Sequence, residues 1–176
     1  YLPGRFCLRA CSELLPTLVS CETKGAMDTM NTLSRDDEAA RERLASVSQD
    51  MIDRTCEWSD INTGSWNTEG LKQFAPVLAD AFSELQADVE LIQTNGFEAV
   101  TDSGKSEIQQ TGPVILVTGR PQAAVQIILS GHYDTVFPKG TFEGVTDIGD
   151  GRLNGPGLAD MKGGLCVMLE ALKTFE

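Results

Sequence analysis

Val125-Gln126-Ile127-Ile128-Leu129, running straight into Ser130-Gly131-His132-Tyr133-Asp134-Thr135-Val136-Phe137-Pro138, is the stretch on which the fold class turns. Its opening run is apolar almost throughout, and Val114-Ile115-Leu116-Val117 upstream has the same character. Short β-branched runs without polar alternation predict central strands covered on both faces. Residues 119–123 link the two, and a shorter extended stretch from Val89 to Gln93 ends at the turn signal Asn95-Gly96. Helical spacing lies on either side. Leu44, Val47, Met51 and Ile52 predict one helix from Arg35 to Trp58, opened by a capping box at Ser34 and Asp37. Leu71, Phe74, Leu78, Phe82 and Leu85 form the stripe of a second helix, capped by Thr68 and kinked or delayed by Pro76. A last helix starts near Asp160, with Leu165, Met168, Leu169 and Leu172 facing inward. Strands between helices imply an α/β domain with a mostly parallel or mixed central sheet and helices on both faces.

The 26 acidic residues against 14 basic ones give a net charge of -12. Phosphates would be repelled, which argues against nucleic acid or an anionic membrane as partner. No apolar run approaches the ~18 residues of a membrane span. Five cysteines without a C-x-x-C pair point to reduced, structural thiols and a cytoplasmic setting. Leu18-Val19-Ser20-Cys21, with Arg5 and Arg9 upstream, supports the alternative of export or a lipid anchor. Glu13 and Pro16 interrupt the apolar core such a signal needs. Residues 1–33 are therefore expected to be a leader or a poorly ordered segment, and residues 34–176 the α/β unit.

Two segments carry chemistry. His132, the one histidine of the chain, falls just past the carboxyl end of an expected central strand, where ligand sites of open α/β sheets gather. Asp134, two residues on, points to the same side in extended backbone. Its carboxylate can accept the imidazole N–H that does not face a metal, fixing the tautomer. A histidine and an aspartate in a surface turn would give the same short pattern. The second segment is Asn154-Gly155-Pro156-Gly157-Leu158-Ala159-Asp160-Met161-Lys162-Gly163-Gly164. Its glycine-proline turn lets backbone approach a site closely. Asp160 then reads either as a metal ligand or as an ordinary helix N-cap. Gly163 and Gly164 each cost about 1 kcal/mol relative to alanine in a helix, which suggests close packing there or a helix that starts later. A phosphate loop fits less well, because an acid sits where G-x-G-x-x-G needs its last glycine.

Gly131-His132-Tyr133-Asp134-Thr135-Val136 and Gly155 to Gly164, in this order, resemble the zinc exopeptidase family of glutamate carboxypeptidases, aminoacylases and desuccinylases. The carboxypeptidase G-like members are the nearest in flavour, and the resemblance spans residues 40–176, including Asn62-Thr63-Gly64-Ser65. It implies the N-terminal part of a zinc-exopeptidase catalytic domain that uses two zinc ions. His132 matches a ligand of one zinc, Asp134 the acid that orients it, and Asp160 the carboxylate bridging both ions, with a cis peptide to Met161. The implied substrate is a small peptide or N-acyl amino acid, and the implied reaction releases a C-terminal residue such as glutamate. A smaller dimerisation domain, hence a homodimer of the full-length parent, is implied as well.

The family places its general-base glutamate, a neighbouring glutamate ligand and two later ligands beyond the bridging aspartate. This sequence reaches Glu176, 16 residues past Asp160, and Glu170 falls in the body of the last helix. The expectation is an isolated chain that is inactive, binds zinc weakly and leaves sheet edge uncovered. Two alternatives stand beside the carboxypeptidase reading. One is a truncated scaffold that catalyses nothing, and the other is a deacylase of N-acyl amino acids.

Overall fold

Ser34 opens the first helix as the sequence predicts. Its hydroxyl accepts from the Asp37 amide (3.1 Å), and the Asp37 carboxylate accepts from the Ser34 amide (3.0 Å). The computed structural model describes residues 34–101 and 103–176 in full and residues 5–7 as backbone. The remainder of the expected leader, including the Leu18-Cys21 segment, lies outside the described residues.

The single helix expected over 35–58 is two, α1 (Arg35–Ser46) and α2 (Ser48–Asp60). The break at Val47 has a chemical cause in the serines that flank it. Ser46 Oγ donates to the Arg43 carbonyl (2.7 Å) and Ser48 Oγ to that of Ala45 (2.9 Å), and such hydroxyls compete with the helical backbone. Helix α3 (Thr68–Phe82) is capped by Asn67, whose side chain accepts from the Gly70 amide at 3.2 Å, rather than by Thr68. It runs through Pro76 without a late start. Leu71, Phe74, Leu78 and Phe82 are fully buried along it. At roughly 1.5–3 kcal/mol each, that burial outweighs the ~3 kcal/mol an internal proline costs.

The main sheet comprises β1 (Arg5–Cys7), β2 (Ala87–Ile92), β5 (Val114–Gly119) and β6 (Ser130–His132), in the order β2-β5-β1-β6. Strand β1 runs parallel to β5, whereas β2 and β6 run antiparallel to their neighbours, so the sheet is mixed. Hairpins β3 (Phe97–Val100) with β4 (Ser106–Gln109), and β7 (Thr146–Asp147) with β8 (Leu153–Asn154), stand apart from it. Helix α4 (Lys162–Thr174) closes the described chain. The α/β class is as expected. Ile115 and Val117 of β5 enter the core with the α3 stripe, Trp58, Tyr133, and Leu165, Cys166 and Leu169 of α4. Val114 and Leu116, on the opposite face of β5, are only half-buried.

One expected strand is corrected. Residues 125–129 are not a strand, and Val125 and Ile127 are 77% and 75% exposed. The sheet explains why. Strand β1 occupies the place beside β5, and β6 pairs with β1 over only three residues, Arg5 with His132 to Cys7 with Ser130. Upstream of Ser130 the backbone meets no further ladder among the described residues, and an apolar run without a neighbour does not form a strand.

Candidate metal centre

Strand β6 delivers His132 to the edge of the core, and Tyr133 pins the chain immediately after it. The Tyr133 ring is fully buried, its hydroxyl donates to the Pro113 carbonyl (2.7 Å), and its centroid lies 6.0 Å from that of Phe74. Burial, with Asp134 next to it, pushes the phenol well above its usual range. With Tyr133 turned inward, His132 and Asp134 share the other side, as the two-residue period requires.

A second segment straps this one in place. Gly64 pairs with Thr135 in a parallel bridge, the Ser65 amide donates to the Thr135 carbonyl (2.9 Å), and the Thr135 amide donates to that of Thr63 (2.9 Å). A Cβ on Gly64 would collide with the Phe137 carbonyl, so the close approach requires glycine there. The strap brings in a residue that sequence reasoning missed. Ser65 Oγ donates to Asp134 Oδ2 at 2.6 Å. The available signal was Asn62, whose side chain accepts from the Gly64 amide (3.1 Å) in the short-range manner typical of asparagine in turns.

The three residues singled out in the sequence come together. His132 Nδ1 faces the main-chain carbonyl of Asp134 at 3.0 Å and its Oδ1 at 3.2 Å. The carbonyl is the better-aligned acceptor, and Oδ1, buried, has no conventional hydrogen bond of its own among the described residues. On the other side of the ring, Nε2 lies 3.0 Å from Asp160 Oδ1. Asp160 is not a helix cap: α4 has Met161 at that position with no side-chain cap bond, and the Asp160 side chain is 85% exposed. The Asp160–Met161 peptide is cis. Gly163 is tightly placed, since a Cβ there would collide with the Leu158 carbonyl, whereas one on Gly164 would meet nothing closer than Met161 Cε at 3.4 Å.

An open cleft of about 940 Å³ lies over these groups, walled by Ser65, Trp66, Phe137, Phe142, Gly155 and Gly157 among others. Below it sits Lys162, fully buried, with Nζ donating to the carbonyls of Trp58 and Ile61 at 2.7 Å each. Burial pushes its ammonium down to about 7, against a smaller opposing pull from Asp60.

The donor set fits a cation. Both ring nitrogens of His132 face oxygen acceptors, so with the proton on Nδ1 the Nε2 lone pair points at a carboxylate. A cation seated between them would satisfy both groups. Ligand atoms on a tetrahedral zinc, at bond lengths of about 2.0–2.2 Å, sit roughly 3.3–3.6 Å apart, so the pair would open by only a few tenths of an ångström. Among the described residues no group of three or more His, Cys, Asp and Glu side chains gathers to hold an ion. Glu170 is committed elsewhere, at 2.9 Å from Arg54 and 3.2 Å from Lys173.

Residues 128–176 match the Peptidase family M20/M25/M40, a stretch that holds His132, Asp134, Asp160 and all of α4. The part of the chain that carries the candidate centre is thus similar to a family of metal-dependent peptidases and related hydrolases. Comparison with curated proteins gives no match. Among the described residues no helix is long and apolar enough to cross a membrane.

Proposed function

We propose that this chain carries part of the centre of a zinc-dependent amide-bond hydrolase, in which His132 and Asp160 are metal ligands and Asp134 orients the imidazole. The single observation that carries the reading is the imidazole held between two carboxylates, with its outer nitrogen aimed at an exposed one. A bound zinc supplies Lewis acidity toward a scissile carbonyl and toward water. The residues of this chain do the rest. Asp134 and the Ser65 hydroxyl hold the ring in one tautomer, and Gly155 and Gly157 let the turn that borders the cleft pack tightly on Ser59, Leu158 and the Lys162 stem. The complete centre would hold two zinc ions, and the favoured substrate is a small peptide or N-acyl amino acid that loses a C-terminal residue such as glutamate. An N-acyl amino acid deacylase uses the same chemistry on the same groups. A homodimer of the parent is part of this reading.

A non-catalytic scaffold is favoured by one observation, the want of a third metal-binding side chain among the described residues. Zinc calorimetry on the chain, beside His132→Ala and Asp160→Ala variants, separates the readings. Zinc binding that either substitution abolishes supports a centre built on these two residues. Binding that survives both substitutions, or no binding at millimolar zinc, removes them as ligands and leaves the scaffold.

A further inference from the structure

We infer that Lys162 is a positioning residue for this centre, holding the Asp160 loop in register with His132 by clamping it to the end of α2. The inference rests on the metal-binding reading above. A lysine with no exposed surface is uncommon, and its partners here are main-chain carbonyls rather than carboxylates. Trp58 and Ile61 lie at the C-terminal end of α2, where helix carbonyls lack partners and the dipole is negative. The ammonium therefore closes that helix end, and the face of Phe74, 4.6 Å from Nζ, favours the same cation.

The other end of the residue shapes the loop. The Lys162 amide donates to the Gly157 carbonyl (2.8 Å). Its stem lies so close under Gly157 that a Cβ there would sit 3.1 Å from Cδ and 3.2 Å from Cγ. Ser59, in the last turn of α2, donates to the Pro156 carbonyl at 2.7 Å. The Gly155-Pro156-Gly157 turn and the entrance of α4 are thus tied to one helix end from two sides, with Asp160 between the ties. Asp160 itself is too exposed for its pairing with His132 to fix it, because exposed ion pairs are weak. Its placement must come from the backbone that Lys162 holds. An apolar side chain would fill the same space, but it would take the lysine donor from the Ile61 carbonyl and leave that of Trp58 only the long bond from the Ile61 amide (3.4 Å).

Cobalt(II) titration of the full chain, followed in the visible spectrum, tests this. Lys162→Met keeps most of the volume and removes the donors. It should retain a cooperative melt and lower cobalt affinity roughly 10-fold or more, the usual scale for residues that orient ligands. The visible bands of the cobalt that still binds should also shift in position, because a displaced Asp160 alters the coordination geometry, which a loss of stability alone would not do. Unchanged cobalt affinity in a folded Lys162→Met protein overturns the inference. Failure of the unsubstituted chain to bind cobalt would instead overturn the metal reading itself. If Lys162→Met does not fold, Ser59→Ala removes only the second tie, and it should lower cobalt affinity several-fold. No change in that variant also overturns the inference.

Discussion

The imidazole of His132 is held between two aspartates, Nε2 at 3.0 Å from Asp160 Oδ1 and Nδ1 at 3.2 Å from Asp134 Oδ1. The two carboxylates differ sharply in setting, Asp134 buried and Asp160 open to the cleft. That contrast divides the labour. A buried acid with a serine donor is fixed and suited to orienting, whereas an open one is free to turn toward an ion beside the imidazole. The sequence pattern H-x-D alone could not distinguish these roles. The 28-residue excursion to Asp160 and the return of the chain to the same ring do so.

Ser65→Ala should destabilise the protein by about 1.5–3 kcal/mol, the range for losing a hydrogen bond to a buried charge. Asp134 Oδ2 then has no Ser65 hydroxyl at 2.6 Å, while the main-chain bond from the Ser65 amide to the Thr135 carbonyl stays. Urea unfolding checks this. A change below about 0.5 kcal/mol would mean that Asp134 is held by other groups.

The two glycines opening α4 should respond in opposite directions. Gly163→Ala drives a methyl into the Leu158 carbonyl and should cost about 1–3 kcal/mol. Gly164→Ala meets only an ordinary contact with Met161 and should be neutral or stabilising by up to about 1 kcal/mol. Thermal melts of both variants decide it, and equal effects would mean the helix entrance yields freely.

What could be read from the sequence was chemistry and period, and what could not was pairing between distant segments. His132, Asp134 and Asp160 were legible because their types and spacing restrict what they can do. The core stripe of α3 and the inward residues of α4 followed from helical spacing. Ser65 was not legible as a partner of Asp134, since it acts across 69 positions from within an ordinary loop stretch. Residues 125–129 were misread for a related reason. Apolar character shows that a run can be a strand, but its neighbour decides whether it is, and β1 comes from residues 5–7. The break at Val47 was hidden because hydroxyl competition leaves the apolar period intact.

Cys166 sets an alkaline limit on stability. Burial pushes its thiol up, with Thr55 and Arg54 pulling weakly the other way. The folded value is raised above the unfolded one, so the contribution is fully present below about pH 8.5, the usual thiol value, and is lost as pH rises past it. The unfolded thiol ionises first and draws the equilibrium toward unfolding. Urea midpoints at pH 7 and pH 10 should differ more for the unsubstituted protein than for Cys166→Ala. An identical difference in the two proteins would show that Cys166 contributes nothing to the alkaline limb. In the folded state at pH 7 Cys166 should also label with a thiol reagent far more slowly than the half-buried Cys56.

The exposed residues Val125, Ile127, Val167 and Phe175 predict self-association of this polypeptide. Val125 and Ile127 stand beside Val167 and Phe175 of the last helix region around one open apolar hollow of about 670 Å³. All four are more than half exposed. Contiguous apolar surface of this kind drives association when nothing covers it. Ile127→Lys puts a charge in the middle of that surface without touching the buried core, so it should leave the melting temperature almost unchanged and reduce concentration-dependent association. Sedimentation velocity across a tenfold concentration range measures it. A chain that stays monomeric throughout, with no change on Ile127→Lys, would show that this surface does not drive association.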